Sequence, residues 1–177
     1  MRATIILPAL LIPIALSLAG CGGDKEGTTI SFNMSDSDGN ESSVANVDGK
    51  TGEVSINAPG FEGKVSLPKM SLGSEDFSLN GVKLYPGSTI KTMNISANKG
   101  DSGAGEGEKD SVRVVFDSPA TPDKVIDYFA DKLGKADFAL TRKGKGLSGT
   151  DDEQKPFSLE VTPAADGHST GVITAGG

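Results

Sequence analysis

Short runs in which apolar and polar residues alternate, each closed by a turn signal, limit what this chain can fold into. Phe157-Ser158-Leu159-Glu160-Val161 is the cleanest of them. A period of two sends successive side chains to opposite faces of a pleated strand, so such a run buries one face and wets the other. Ile30, Phe32 and Met34 alternate with Ser31 and Asn33 in the same way, as a half-buried strand. Strand-like residues recur at 44–47, 53–56, 65–67, 89–97, 111–117, 138–142, 147–150 and 170–175. Asp48-Gly49, Ala58-Pro59-Gly60, Lys143-Gly144-Lys145-Gly146 and residues 164–169 separate them as turns. Glycine occurs 24 times with no G-X-Y period, which fits many tight turns. Strands joined by tight turns pair antiparallel.

One stretch leaves this period. Val125, Ile126, Phe129, Ala130 and Leu133 recur at three- and four-residue spacing and so share one face of a helix. Thr121 stands at the N-cap, Pro122 at the first helical position and Asp123 at the positive end of the helix dipole. The helix ends at Gly134 or runs to Ala136. Its four larger apolar side chains, at about 1.5–3 kcal/mol each, suffice to hold it on a sheet. The expected fold class is β-rich α+β: a small N-terminal β meander, then one helix packed on an antiparallel sheet. The β-rich segment covers 29–80 and the α+β domain 81–177, with 98–110 as a glycine-and-charge loop.

The first twenty residues belong to neither unit. Arg2 precedes an apolar run and small residues, the pattern of a secretory signal peptide. Residues 5–20 would span only about 24 Å as a helix, short of the ~30 Å hydrocarbon core, and Pro8 and Pro13 interrupt them. Leu18-Ala19-Gly20-Cys21 resembles the bacterial lipobox. That resemblance implies a diacylglyceryl thioether on the Cys21 sulfur, cleavage between Gly20 and Cys21, and residues 21–28 as a lipidated tether. A thiolate is the side-chain nucleophile suited to taking the lipid. Cys21 is the only cysteine in the chain, and a solitary thiol in an oxidising compartment is a liability that lipidation removes. Two or three acyl chains give durable attachment where one gives marginal binding. In Gram-negative lipoproteins an aspartate directly after the cysteine favours retention at the inner membrane. Gly22 stands there and Asp24 comes later, which implies the inner leaflet of the outer membrane, facing the periplasm.

The stretches GFEGKVSLPKM, NGVKLYPGSTI and GLSGTDDEQKPFSLEVTP resemble segments of uncharacterised alphaproteobacterial lipoproteins. These are turn and strand motifs and carry no activity with them. Such proteins tend to have glycine where Asp137 stands.

Chemistry-bearing patterns fail on inspection. Asp36-Ser37-Asp38-Gly39-Asn40 opens like an EF-hand loop, but glycine is fourth rather than sixth and Val47 holds the twelfth position. Gly49-Lys50-Thr51 resembles the end of a phosphate loop, yet Val44 stands where the first glycine belongs and a strand follows. Gly100, Gly103, Gly105 and Gly107 fit GxGxxG in no register. His168, the only histidine, lies in a turn with Ser169 and Asp166, too close in sequence to surround a substrate as a triad. One histidine leaves too few nitrogen and sulfur ligands for zinc. Arg142, Lys143 and Lys145 read as a solvated basic hairpin tip.

The chain carries 17 basic and 24 acidic residues, a net charge of −7 that disfavours nucleic acid as a partner. Tryptophan is absent and aromatics are 5%, which argues against aromatic ligand cages. The expectation is a non-enzymatic binding or structural module, held to the bilayer through acylated Cys21, with an envelope protein as candidate partner. The alternative is a carrier holding a small apolar ligand between helix and sheet. No catalytic residue, metal ligand or cofactor is assigned.

Overall fold

The computed structural model describes residues 27–35, 41–58, 60–98 and 110–176. Alternation becomes strand along most of that length: β1 (Thr29–Ser35), β2 (Glu41–Asp48), β3 (Glu53–Ala58), β4 (Phe61–Ser66), the short β5 (Ser78–Leu79) and β6 (Val82–Lys83), then β7 (Thr89–Asn98) and β8 (Ser111–Ser118). Helix α1 (Pro122–Gly134) follows, and β9 (Ala139–Lys143), β10 (Gly146–Thr150), β11 (Pro156–Pro163) and β12 (Ser169–Gly176) complete the chain. Ten of these strands form one sheet in the order β4-β3-β2-β1-β7-β8-β12-β11-β10-β9, and β5 and β6 pair separately. The protein is thus a β-rich α+β fold with one helix on a large sheet.

The sheet is mixed, not antiparallel throughout. β1 runs parallel to β7, from Thr29 opposite Thr92 to Ser35 opposite Asn98. Turn chemistry predicts pairings between neighbours in sequence; this pairing joins strands separated by more than fifty residues, and the 29–80 and 81–177 segments share the sheet through it.

A return segment, 67–88, makes that seam. It leaves β4 at one edge of the sheet and passes beneath the strand ends. Leu67 N–H donates to Gly52 O, Met70 N–H to Gly49 O, Thr28 N–H to Met70 O, and Ile90 N–H to Leu72 O. Backbone approaches this closely only where no Cβ intervenes. A Cβ on Gly49 would lie 2.2 Å from Thr28 O, and one on Gly52, whose φ is +78°, would lie 1.8 Å from Leu67 O.

Register aligns the apolar side chains. β7 carries a bulge between Ile90 and Thr92, which puts both Ile90 and Met93 on the helix side despite their three-residue spacing. Across β8, β12, β11 and β10 that face presents Val114 and Phe116, Ile173, Phe157, Leu159 and Val161, and Leu147. The helix lies over β9–β11 and buries Val125, Ile126, Phe129 and Leu133. Phe129 meets Phe116 at 6.0 Å between ring centroids, and Phe138 meets Phe157 edge-on at 5.4 Å. Leu84 and Val82 of the return segment complete the cluster.

Three sequence expectations need correction. Ala130 is exposed, because the buried stripe is narrower than the periodicity suggested. Thr121 has N-cap backbone geometry but makes no side-chain cap bond. Phe32 and Met34, expected in a half-buried strand, are 38% and 36% exposed, because no second layer among the described residues covers β1. The helix ends at Gly134, and Asp137 takes up a left-handed φ of 63° in the link to β9, a conformation that glycine adopts at less cost.

Two sets of substitutions test this packing by thermal and urea melts of the purified protein. Phe129→Ala should cost about 3–5 kcal/mol. Gly49→Ala should cost roughly 2 kcal/mol or more, because backbone must move. Gly134→Ala, with no atom near its Cβ position, should be neutral or gain up to about 1 kcal/mol. Equal effects at the two glycines would show that the crossing is not close-packed.

Candidate functional site

Cys21 lies outside the described residues, which begin at Gly27. The first described residues, Gly27 and Thr28, lead directly into β1. Gly27 is buried against the backbone of Gly49 and Lys50. Thr28, 1% exposed, donates its hydroxyl to Ile90 O at 2.6 Å and accepts the Leu72 N–H at 2.8 Å. One side chain therefore ties the start of β1, the return segment and β7 together.

The sheet leading away from this point has two unlike faces. On the helix side, register lines up Met93 and Ile95 of β7 with Ile30 and Phe32 of β1, Val47 and Ala45 of β2, Val54, Ile56 and Ala58 of β3, and Val65 and Phe61 of β4. Phe61 and Val65 are 59% and 53% exposed. No charged residue stands among these positions. The opposite face carries Ser31, Asn46, Glu53, Ser55, Asn57, Glu62 and Lys64; there Asn46 donates to Ser31 Oγ at 2.9 Å and Lys64 pairs with Glu53 at 2.9 Å.

The patterns singled out in the sequence fall elsewhere. Asp36 to Asn40 and the glycines at 100–107 lie outside the described residues. Gly49-Lys50-Thr51 forms the β2–β3 turn, where Asp48 Oδ1 accepts the Lys50 N–H at 2.8 Å and the Thr51 N–H at 3.3 Å. The amides a phosphate would need are taken by this carboxylate. His168 is exposed beyond a 3₁₀ turn, Ala165–Gly167, while Ser169 is buried with its hydroxyl donated to Ala120 O at 2.8 Å. The structure does not bring the two together as nucleophile and base. Among the described residues, no group of three or more His, Cys, Asp or Glu side chains could hold a metal ion.

Arg142 is not part of a free hairpin tip. β9 pairing places it on the helix side, where its guanidinium reaches Asp127 at 2.6 Å and Asp123 at 2.7 Å. The two aspartates stand one turn apart on α1, a spacing that the sequence offered but that has no meaning until β9 lies alongside. Lys143 and Lys145 sit instead by a shallow groove of about 420 Å³ on the far face, with Ser148, Ser158, Glu160 and Thr162. A second groove, about 360 Å³, crosses β3 and β4 at Ser55, Asn57, Glu62 and Lys64. Neither holds a buried charged group aimed into it. No known protein family, curated protein or solved structure matches this chain.

The hydrogen bonds to Asp48 hold its carboxyl below the ordinary value of 3.8, the backbone N–H of Lys50 contributing most and that of Thr51 next. A lowered folded-state pKa stabilises above the unfolded value and loses that effect as pH falls through the folded one. Asp48→Ala should therefore lower the urea midpoint at pH 7, and the gap from wild type should narrow as pH falls below 3.8. A gap that stays the same size as the carboxyl is protonated would show that the carboxylate charge is not what holds the turn.

Proposed function

We propose that the protein is a lipoprotein anchored through acylated Cys21, which faces the periplasm as a non-enzymatic binding or structural module. The observation that carries this is Leu18-Ala19-Gly20-Cys21 behind an apolar leader, in a chain with no other cysteine. The geometry of the entry point supports it. Only a few residues separate Cys21 from Gly27, so the fold begins almost at the anchor, and Thr28 fixes that beginning on two further segments.

The layer between helix and sheet supports a module over a ligand carrier. A carrier needs room there. Val125, Ile126, Phe129 and Leu133 instead pack against Phe116, Leu159, Val161 and Ile173, none of them more than 2% exposed. The strands β1 to β4 act in this reading as a small meander on the anchored side, and the helix-backed strands as the rigid body that faces outward. Gly22 in place of aspartate favours the outer membrane's inner leaflet.

Cys21→Ser should abolish labelling by radioactive palmitate and leave full-length precursor in the cell, and wild type should migrate with outer-membrane markers on a density gradient. A variant still labelled and processed would refute the anchor. Wild type recovered with inner-membrane markers would refute the outer-membrane assignment alone.

A further inference from the structure

We infer that the bare apolar face of β1–β4 is a second membrane contact, lying on the surface of the bilayer that holds the lipid. This rests on the anchor reading above. A sheet face needs a covering layer, and among the described residues the helix and return segment supply it only from β7 onward. Phe32, Met34, Phe61 and Val65 are left exposed, and Ile30, Val54 and Ile56 between them are half-buried.

Three properties select the occupant. The first is reach. Residues 21 to 27 can extend at most about 20 Å, and the chain enters at the foot of β1, a strand of the patch itself. The lipid thus keeps this face, rather than the helix-backed end, close to the head groups. The second is size. Four strands about 4.8 Å apart and six residues long present roughly 400 Å². That lies within the ~300–600 Å² of the largest apolar patch on a typical monomer, a patch that is often functional, and is about half the ~800 Å² per partner of a stable dimer. A tethered contact succeeds with less, because the anchor already supplies proximity. The third is charge. The apolar face has none, while Glu53, Glu62 and Lys64 point from the reverse face toward water. The acidic net charge therefore does not meet the lipid directly. The helix lies over β9–β11, the nearest of which stands four strands along the sheet from β1.

The test uses the full lipidated protein, in which acylation blocks Cys21 and leaves an introduced thiol as the only free one. Phe61→Cys, Val65→Cys, Glu62→Cys and Ser66→Cys are each labelled with a polarity-sensitive fluorophore and reconstituted in vesicles of phosphatidylethanolamine and phosphatidylglycerol. All four positions are exposed and tolerate the change. Labels at 61 and 65 should shift to the blue and be quenched at least twofold more by lipids spin-labelled near the head group than labels at 62 and 66. Equal quenching on the two faces would overturn the inference. So would a blue shift that disappears on tenfold dilution of protein in lipid, which would assign the face to a second copy. Vesicle flotation of unlabelled wild type separates the two readings. A protein that does not float and whose Cys21 reacts with the dye removes the anchor and this contact together. Floating protein with wet labels removes this contact alone.

Discussion

The Thr28 hydroxyl, shared between Ile90 O and Leu72 N–H, is the point on which the rest of the architecture turns. It closes a crossing of three segments distant in sequence. Without that crossing, β1–β4 and β7–β12 have no reason to share a sheet, because each set already satisfies its inner ladders with its own neighbours. The parallel β1–β7 pairing exists because the return segment delivers β7 beside β1 in the same direction, and Gly49 and Gly52 let it pass under the strand ends. A buried hydroxyl that both donates and accepts is fully satisfied. An apolar replacement would leave an amide and a carbonyl without it, at about 1–3 kcal/mol for each group left unpaired.

The two halves of the sheet are held by different means. From β7 to β9, a second layer converts alternation into burial, and side chains such as Phe116, Leu159 and Ile173 lose all contact with water. From β4 to β1 the same alternation meets no second layer among the described residues. Backbone pairing, small polar ladders such as Asn46 to Ser31 and the Lys64–Glu53 pair hold those strands in register. Exposed ion pairs and single polar contacts contribute little each. The N-terminal half is therefore the part whose stability depends most on what lies against it.

Much of this was legible from local pattern. The alternation of Phe157, Leu159 and Val161 gave β11, and the 125-126-129-133 spacing gave the buried stripe of α1. Such signals live within one element and need no knowledge of its neighbours. The β1–β7 pairing was not legible, since nothing in either strand encodes a partner across fifty residues. The bulge near Lys91 was visible only as a broken period between Ile90 and Met93, and its meaning required β8 to be alongside. The fork from Arg142 to Asp123 and Asp127 was hidden for a related reason. A basic residue beside Lys143 reads as surface until β9 faces the helix. In the candidate site, the residue types of the apolar face were all readable, whereas its lack of cover was not, because alternation reports only that one face is apolar.

The position of β1 in the sheet bears on how an anchor at Cys21 would load the fold. β1 is an interior strand, bonded to β2 on one side and β7 on the other. A pull from the N-terminus acts along its axis, so it must shear both ladders at once; at an edge strand pulled sideways, hydrogen bonds would open one after another. Thr28 stands at the first point of that load, bonded to a segment other than either neighbour of β1 through Leu72 and Met70. The same crossing that makes the sheet continuous would therefore spread tension from such an anchor across three segments. Among the described residues of the N-terminal half, the tightest backbone contacts gather at this crossing, at Gly27, Gly49 and Gly52, whereas a Cβ at Gly60 in the β3–β4 turn would meet nothing within 4 Å.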